Sequence, residues 1–324
     1  MNAVAVAIAV IIIEKDAFKV SNQEGVGSMY RRILVGVDGS NQSDHAFSKA
    51  LSIAGECRAT LIIGHVLDIR NFPNEHMLYA GELWDEWKGK ADAMLARYKG
   101  QAEAAGIKTE IAFASGNPRI QVAKTLTKEH GADLLVTSAT GRNRIERFFT
   151  GSVAEASIRH APCDYLMVKD YETASPYYKT ILVGVDGSDQ AEDALSEAAW
   201  LAKQYEAALT IVYVEPIGIY TGGAMAAAPL SYEDNNRLEA ERMLTSYKQK
   251  AEESGVSTVK TEYLHGNPRV KLSTDLPESL QADLLVCGAT GTNTVTRLMI
   301  GSVAEAAMRH APCDVLMVKR DNSR

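Results

Sequence analysis

The sequence predicts an α/β fold made of two tandem, doubly wound domains, each with a parallel sheet that has helices on both faces. Three observations predict it: a long internal repeat, an alternation of strand and helix patterns within each copy, and glycine loops that follow buried strands. The chain has 324 residues. At about 150 residues per domain, this length also indicates two domains.

The internal repeat is read directly from the residues. The segment YRRILVGVDGS at 30–40 returns as YKTILVGVDGS at 178–188. Three shorter segments, GNPR, GSVAEA and RHAPCD, occur in each half in the same order. Solenoid repeats have periods of about 20–50 residues, so copies this long are whole domains. The predicted boundaries are a leader at 1–28, a first domain at 29–170, a linker at 171–177 and a second domain at 178–320.

Each copy alternates strand and helix patterns. In the second copy, short apolar runs typical of strands buried on both faces predict strands at 180–186, 208–214, 284–286 and 315–318. A weaker, alternating pattern predicts a further strand at 256–264. Helical spacing of apolar residues predicts helices at 188–205, 233–254, 268–280 and 302–310. Ser188 is placed to cap the first of these helices. The alternation implies a parallel sheet, which binds ligands beyond the carboxyl ends of its strands.

The first copy repeats this order, and its long helix carries a stripe of aromatic and aliphatic side chains. The stripe contains Trp84, Trp87, Ala91, Met94, Leu95 and Tyr98. Helical spacing favours core contact for these residues. A ligand box built from the tryptophans is the alternative.

The first 28 residues do not belong to the repeat. Residues 3–13 form an apolar run, but about 20 apolar residues are needed to span a bilayer. A secretory signal would place Lys or Arg before such a run, and here only Met1 and Asn2 precede it. We therefore expect a disordered extension. A weak signal peptide or a membrane-surface anchor is the alternative.

The amino-acid composition limits the classes of partner that we expect this protein to bind. Asp and Glu number 41 against 34 Lys and Arg, which gives a net charge of −7 with neutral histidine. This balance disfavours non-specific nucleic-acid binding, which needs a basic face, so we expect neither nucleic acid nor a membrane as a partner. Four scattered cysteines predict neither a disulfide framework nor a CxxC zinc site. A reducing cytoplasm is the expected compartment.

A glycine loop carries the strongest chemical signal. In the second copy Gly288 and Gly291 follow a strand, and Gly301-Ser302 opens a helix. Glycine lets backbone N–H groups approach phosphate oxygens closely, and a helix start directs unpaired N–H groups at an anion. The loop fits neither the Walker A pattern nor GxGxxG. The alternative is a mobile glycine loop and a capped helix with no ligand.

Three motifs together produce a family resemblance. The opening ILVGVDGS, the loop pattern G-x2-G-x9-G-[ST] and the closing GSVAE…RHAPC strongly resemble the universal stress protein family over about 30–170 and 178–320. The resemblance implies a tandem member with five parallel strands per domain in the order 3-2-1-4-5. Members with this loop often bind ATP, so ATP is the expected cofactor, with or without Mg²⁺.

The resemblance also implies the residues of the second site. Asp186 matches the ribose-side acidic residue of the family, and a turn or cap aspartate is its alternative role. Val214 would hold adenine through its backbone, and plain core packing is its alternative role. The loop and the helix start complete the site with Gly288, Thr290, Gly291, Gly301, Ser302 and Val303.

The first copy departs from the pattern at one position. Ser138 stands where the second copy has Gly288, and its Cβ would crowd the ribose or block the needed backbone angle. Arg142, Arg144 and Arg147 oppose this effect with positive charge that would hold phosphates, although a solvated basic face explains them equally. The sequence thus supports binding and loss of binding equally. The other matches are Asp38, Val66, Thr140, Gly141, Gly151, Ser152 and Val153.

Two further repeated motifs each allow either a ligand-binding role or a purely structural one. Arg119 and Arg269, each in an Asn-Pro-Arg segment, either reach ligand phosphates or belong to capped turns, which we favour. The repeated His-Ala-Pro-Cys segments at 160–163 and 310–313 are expected to be structural rather than metal-binding.

The expected function is a nucleotide-dependent stress or signalling module in which ATP hydrolysis is slow or absent. No base or arginine finger for phosphoryl transfer is identifiable. The alternatives are a weak ATPase, an enzyme that phosphorylates itself at Ser302 or Ser152, and a scaffold with vestigial sites. The final strands are apolar, and exposed sheet edges invite pairing. Because the family pairs domains through this strand, we expect an internal pseudo-dimer of the two domains, with a further homodimer left open.

Overall fold

A computed structural model describes residues 29–71, 80–140, 151–169, 175–217, 230–291 and 300–319. The chain divides into two compact units, and the boundary between them falls between Tyr177 and Tyr178. The predicted leader at 1–28 and most of the predicted linker at 171–177 lie outside the described residues.

The first unit alternates strands and helices along the chain. Its strands are β1 (Arg32–Gly36), β2 (Thr60–Leu67), β3 (Thr109–Ser115), β4 (Leu134–Ser138) and β5 (Asp164–Val168). Its helices are α1 (Asn41–Cys57), α2 (Ala80–Ala104), α3 (118–129) and α4 (Ser152–His160). A single 3₁₀ turn, Ile69–Asn71, follows β2. Within α3 a π-helical segment, Gln121–Leu126, separates two short α-helical segments.

The second unit repeats this order. Its strands are β6 (Thr180–Gly184), β7 (Ala208–Pro216), β8 (Val259–Gly266), β9 (Leu284–Gly288) and β10 (Asp314–Val318). Its helices are α5 (Asp189–Gln204), α6 (Leu230–Glu253), α7 (268–279) and α8 (Ser302–His310). A π-helical segment recurs in α7 at Lys271–Asp275. The predicted cap of α5 is present, since the Ser188 side chain accepts the Ala191 N–H at 3.2 Å.

Each unit has one parallel sheet with the predicted strand order. The order is β3-β2-β1-β4-β5 in the first unit and β8-β7-β6-β9-β10 in the second. Neighbouring strands within each unit are parallel. The expected doubly wound α/β fold and the order 3-2-1-4-5 are therefore confirmed. In both sheets the order reverses beside the first strand, which is where open α/β sheets form a ligand crevice.

Burial of the central strands on both faces explains why their sequences are continuous runs of apolar residues. Three successive residues of β1, Ile33, Leu34 and Val35, are completely buried. Because successive side chains of a strand point to opposite faces, their burial requires cover on both faces of the sheet. The edge strand β8 is mostly exposed or half-buried, which matches its weaker, alternating pattern.

The aromatic stripe of α2 packs only in part as core. Ala91, Leu95 and Tyr98 are buried, as the helical spacing predicts. Trp84 and Trp87 are only half-buried. Tyr98 lies deepest, and its ring contacts Phe47 of α1 with centroids 4.8 Å apart.

Carboxylates at fixed positions tie the start of each sheet together. The Asp283 carboxylate accepts the backbone N–H groups of Lys179 and Thr180 at 2.8 and 3.0 Å, just before β6 and at its first residue. The Tyr178 hydroxyl donates to Asp314, the first residue of β10, at 2.9 Å. Burial, and then the nearby Asp314 charge, raise the pKa of Tyr178 well above its usual value. The Asp of the repeated RHAPCD motif is thus a buried structural acceptor.

The variant Tyr178→Phe is expected to lower the free energy of unfolding of the second unit by about 1–3 kcal/mol, because the buried Asp314 carboxylate loses a donor. Urea unfolding followed by circular dichroism measures the loss. Tyr30→Phe, which removes the equivalent donor to Asp164 in the first unit, is expected to act similarly there. Tyr247→Phe is the control, since the hydroxyl of that buried tyrosine makes no hydrogen bond to a carboxylate among the described residues. Equal effects of Tyr178→Phe and Tyr247→Phe would contradict the prediction.

Candidate functional site

A cleft of about 410 Å³ opens at the carboxyl ends of β6, β7 and β9 in the second unit. It lies beside the reversal of strand order, where the sheet topology places a crevice. The structure brings all the predicted second-copy residues to its walls: Asp186, Val214, Gly288, Thr290, Gly291, Gly301, Ser302 and Val303.

Asp186 stands on the turn between β6 and α5. Its Oδ1 accepts the Ser188 N–H at 3.1 Å, so the turn role considered for this residue is real. Gly187 has a φ of +82°, a conformation that side chains other than glycine rarely adopt. The other carboxylate oxygen lies against Gly291 across the cleft. Asp186 therefore both shapes the turn and presents an oxygen to the glycine loop.

Two glycines of the loop are required by close approach. A Cβ on Gly291 would collide with Oδ2 of Asp186. A Cβ on Gly301 would lie 3.3 Å from the carbonyl oxygen of Ala289, and that same oxygen accepts the Gly301 N–H at 2.7 Å. The loop and the start of α8 thus pack backbone against backbone, with no room for side chains between them.

The first turn of α8 leaves backbone donors at the cleft. Gly301 is the N-cap residue and makes no side-chain cap hydrogen bond. The first helical bond runs from the Glu305 N–H to the Gly301 carbonyl, at 2.9 Å. By helix geometry the N–H groups of Ser302, Val303 and Ala304 have no acceptor within the helix. All three residues line the cleft, and such groups bind anions well.

Gln190, in the first turn of α5, is a site residue that sequence reasoning missed. Its Oε1 accepts the Thr290 N–H at 2.6 Å and so ties α5 to the glycine loop. A Cβ on Gly288 would lie 3.1 Å from the Cβ of Gln190. Gly288 therefore allows the close approach of α5. Its φ is not positive, so the backbone angle is not what requires glycine at this position.

An aromatic pair forms the rim of the cleft on the β7 side. Tyr213 lines the cleft and stacks on Tyr263 of β8, with centroids 6.1 Å apart and planes 22° apart. The Tyr263 hydroxyl donates to Glu215. Burial, and then the charges of Glu215 and Asp186, raise the pKa of Tyr213, so this rim residue is a neutral phenol at physiological pH. No motif or spacing in the sequence predicts this pair of tyrosines.

The first unit repeats most residues of the site, with Ser138 in place of Gly288. Asp38 follows β1, and its Oδ1 accepts the Ser40 N–H at 3.0 Å. A Cβ on Gly151 would lie 3.0 Å from the Ala139 carbonyl oxygen, and Gly151 makes no side-chain cap bond. The remaining predicted residues lie at the equivalent strand end, loop and helix start: Val66, Thr140, Ser152 and Val153. Gly141, Arg142, Arg144 and Arg147 lie outside the described residues.

Ser138 marks the difference between the two units. It replaces Gly288, whose missing Cβ admits Gln190. The residue equivalent to Gln190 is Gln42, and no hydrogen bond from Thr140 to Gln42 is present among the residues that the structure describes. This hydrogen bond is therefore present in the second unit and absent from the described part of the first.

The two Asn-Pro-Arg segments are capped turns, as favoured from the sequence. The side-chain oxygens of Asn117 and Asn267 accept the N–H groups of Arg119 and Arg269 at 3.1 and 3.0 Å. The arginine side chains then differ. Arg269 lines the cleft of the second unit, whereas Arg119 Nε donates to the Ser152 carbonyl at 3.3 Å.

Neither a cluster of metal ligands nor a membrane-spanning helix is found in the described ranges. Within these ranges there is no group of three or more His, Cys, Asp or Glu side chains that could hold a metal ion. The helices of the same ranges include none with the length and apolar character needed to cross a bilayer.

Comparison with known proteins places the whole repeat in one family. The model of the universal stress protein family matches residues 29–169 and 177–319. A relative from Staphylococcus haemolyticus that carries this family name is 39% identical over 144 residues, which are 44% of this chain and 86% of the relative.

Solved structures match about nine-tenths of the chain. A universal stress protein from Archaeoglobus fulgidus superposes with a TM-score of 0.64 at 20% identity, over 90% of this chain and 98% of that one. A structure from Pseudomonas aeruginosa that bears the same family name gives 0.63 at 19% identity, over 91% and 95%. These likenesses establish the fold.

Cys287 lines the cleft but is buried, and burial raises the pKa of its thiol to about 12. At pH 8 it should therefore hold about a thousandfold less thiolate than a cysteine with the usual pKa of about 8.5. We expect iodoacetamide to alkylate Cys287 correspondingly slowly in the native protein, as measured by peptide mass spectrometry. Cys163, which is half-buried, should react first, and in urea all four cysteines should react. Labelling of native Cys287 ahead of Cys163 would contradict this assignment.

Proposed function

Because this chain belongs to the universal stress protein family, we propose that its second unit binds ATP and that the protein acts as a nucleotide-dependent stress or signalling module. One observation carries the proposal: free N–H groups of a helix start and a glycine loop without room for side chains meet in one cleft. This is a cradle for phosphate oxygens. The geometry supports binding, and hydrolysis is proposed to be slow or absent.

The phosphates are proposed to lie at the start of α8. The N–H groups of Ser302, Val303 and Ala304 supply donors, and the helix dipole adds about half a positive charge there. Ser302 is exposed, so its hydroxyl is available as a further donor. Arg269 also lines the cleft and contributes a full positive charge.

The nucleoside is proposed to lie toward β6 and β7. Asp186 presents a carboxylate oxygen to the cleft, and carboxylates accept hydrogen bonds from ribose hydroxyls at the equivalent place in dinucleotide-binding folds. Val214 is buried at the end of β7, which leaves its backbone as the group able to meet adenine. Tyr213 closes this end of the cleft with an apolar ring.

A magnesium ion fits this arrangement as a companion of ATP. Mg²⁺ usually keeps several waters and is held by substrate phosphates with only one or two carboxylates. Asp186 is the carboxylate among the described lining residues. When bound, the ion would neutralise phosphate charge, while the chain itself positions the nucleotide through Asp186, the loop and the start of α8.

The cytoplasm is the compartment proposed for this function. None of the four cysteines, all of which lie in the described ranges, forms a disulfide bond, which supports a reducing environment, where disulfides are rare.

Titration of the full chain with ATP and Mg²⁺ in a calorimeter tests the proposal. Saturable binding at millimolar ATP or below is expected, with little phosphate release in a parallel assay. Gly291→Ala places a Cβ on Asp186; overpacking costs about 1–3 kcal/mol, so affinity should fall about tenfold or more. Gly89→Ala is the control, because a Cβ there has open space. Absence of binding by the unmodified chain would overturn the proposal, and rapid phosphate release would make the protein an ATPase instead.

Gln190 is expected to position the loop for the nucleotide. Gln190→Ala removes the acceptor of the Thr290 N–H, a bond worth about 0.5–1.5 kcal/mol, so ATP affinity should fall about two- to tenfold. Gln42→Ala in the first unit is the matched control and should leave the affinity of this site unchanged. Tighter binding by Gln190→Ala would show that Gln190 competes with the nucleotide for this N–H group.

A further inference from the structure

The first unit has a concave surface between α3 and α4. This basic groove has a volume of about 420 Å³, and its walls include Arg119, Ile120, Lys124, Ala156, Arg159 and His160. A volume of this size lies in the range of small-molecule pockets, about 300–1,000 Å³. From its charge and its apolar floor we infer that the basic groove binds a small organic anion with a hydrophobic body.

The charge of the basic groove opposes the charge of the chain. Arg119, Lys124 and Arg159 are cationic at neutral pH, and His160 adds a further charge when protonated. Glu155 is the carboxylate among the lining residues, and it pairs with Arg159 at 3.8 Å. Lys124 has no ion pair with any residue in the described ranges. The lining thus carries excess positive charge in a protein of net charge −7, which favours an anionic ligand.

Arg119 is held where it serves this surface. Its Nε donates to the carbonyl of Ser152 on α4, so the guanidinium bridges α3 and α4 with its remaining N–H groups at the groove. A guanidinium held in this way offers paired donors to a phosphate or a carboxylate. In the second unit the equivalent Arg269 instead lines the nucleotide cleft.

The floor of the basic groove is apolar. Ile120 lines it and is 56% exposed. Ala156 of α4 lies on the same surface. An inorganic anion would contact only the cationic side chains, and a neutral apolar molecule would contact only the apolar floor. A ring or short chain that carries a phosphate or carboxylate uses both.

The second unit supplies an internal comparison. At the positions of Ile120 and Lys124 it has Val270 and Thr274, so the floor is retained while the unpaired cation is lost. The basic groove is therefore a feature of the first unit, and it does not depend on nucleotide binding by the second.

Titration of the full chain with 1-naphthyl phosphate, followed by its fluorescence, tests the inference. Saturable binding is expected, also in Gly291→Ala, which separates this site from the nucleotide cleft. Inorganic phosphate and 1-naphthol should each bind at least about tenfold more weakly. A parallel titration with 1-naphthoate distinguishes a phosphate site, where the phosphate binds more tightly, from a general acid site, where the two bind alike. Both of these outcomes support an organic-anion groove.

The variant Lys124→Thr locates the site. Lys124 is exposed, so the fold is expected to persist, and affinity for 1-naphthyl phosphate should fall about three- to tenfold on loss of a charge-assisted contact. Lys128→Thr, an exposed lysine on the same helix that does not line the groove, should leave it unchanged. Failure of the unmodified chain to bind 1-naphthyl phosphate, or equal losses in the two variants, would overturn the inference.

Discussion

The contact of the glycine loop with the start of α8 is the constraint on which the candidate site depends. The Gly301 N–H donates to the Ala289 carbonyl, and the loop returns to the sheet at Gly291 against Asp186. Because a Cβ would collide with Asp186 at Gly291 and would crowd the Ala289 carbonyl oxygen at Gly301, the backbone itself forms the wall of the cleft. This arrangement holds three helical N–H groups beside a carboxylate from another strand end. A ligand with phosphates at one end and hydroxyls at the other matches this sequence of groups.

Duplication gave two units with the same anchors and different surfaces. Both units retain the buried Tyr–Asp bond and the carboxylate that binds the start of the first strand. These contacts lie at the amino ends of the central strands, far along the sheet from the crevice. Substitutions at the carboxyl ends are therefore tolerated without loss of the fold. Ser138 in place of Gly288 is a difference of this kind.

The sequence predicted the frame because local patterns dictate it. Consecutive apolar residues such as Ile33–Val35 require a strand covered on both faces, and a serine before α5 caps it as expected. The cleft residues were predicted because their motif survives intact in the second copy. Gln190 was missed because its contact with Thr290 joins positions 100 residues apart, and no periodicity reports such a pair. The π-helical segments of α3 and α7 were missed because each is a single short turn within a helix, which leaves the overall helical pattern of the apolar residues readable.

The two arginines of the Asn-Pro-Arg turns show how one motif acquires two uses. The backbone of both turns is fixed in the same way, by an asparagine side chain that accepts the arginine N–H. That bond sets where each helix begins but leaves the long arginine side chain to find its own partners. In the second unit Arg269 faces a cleft whose other walls present Asp186 and the helical N–H groups. In the first unit Arg119 binds the Ser152 carbonyl and joins Lys124 and Arg159 on the outer surface. A charge that faces the cleft in one copy thus corresponds to an outward-facing charge in the other, which is the physical basis for proposing different ligands for the two units.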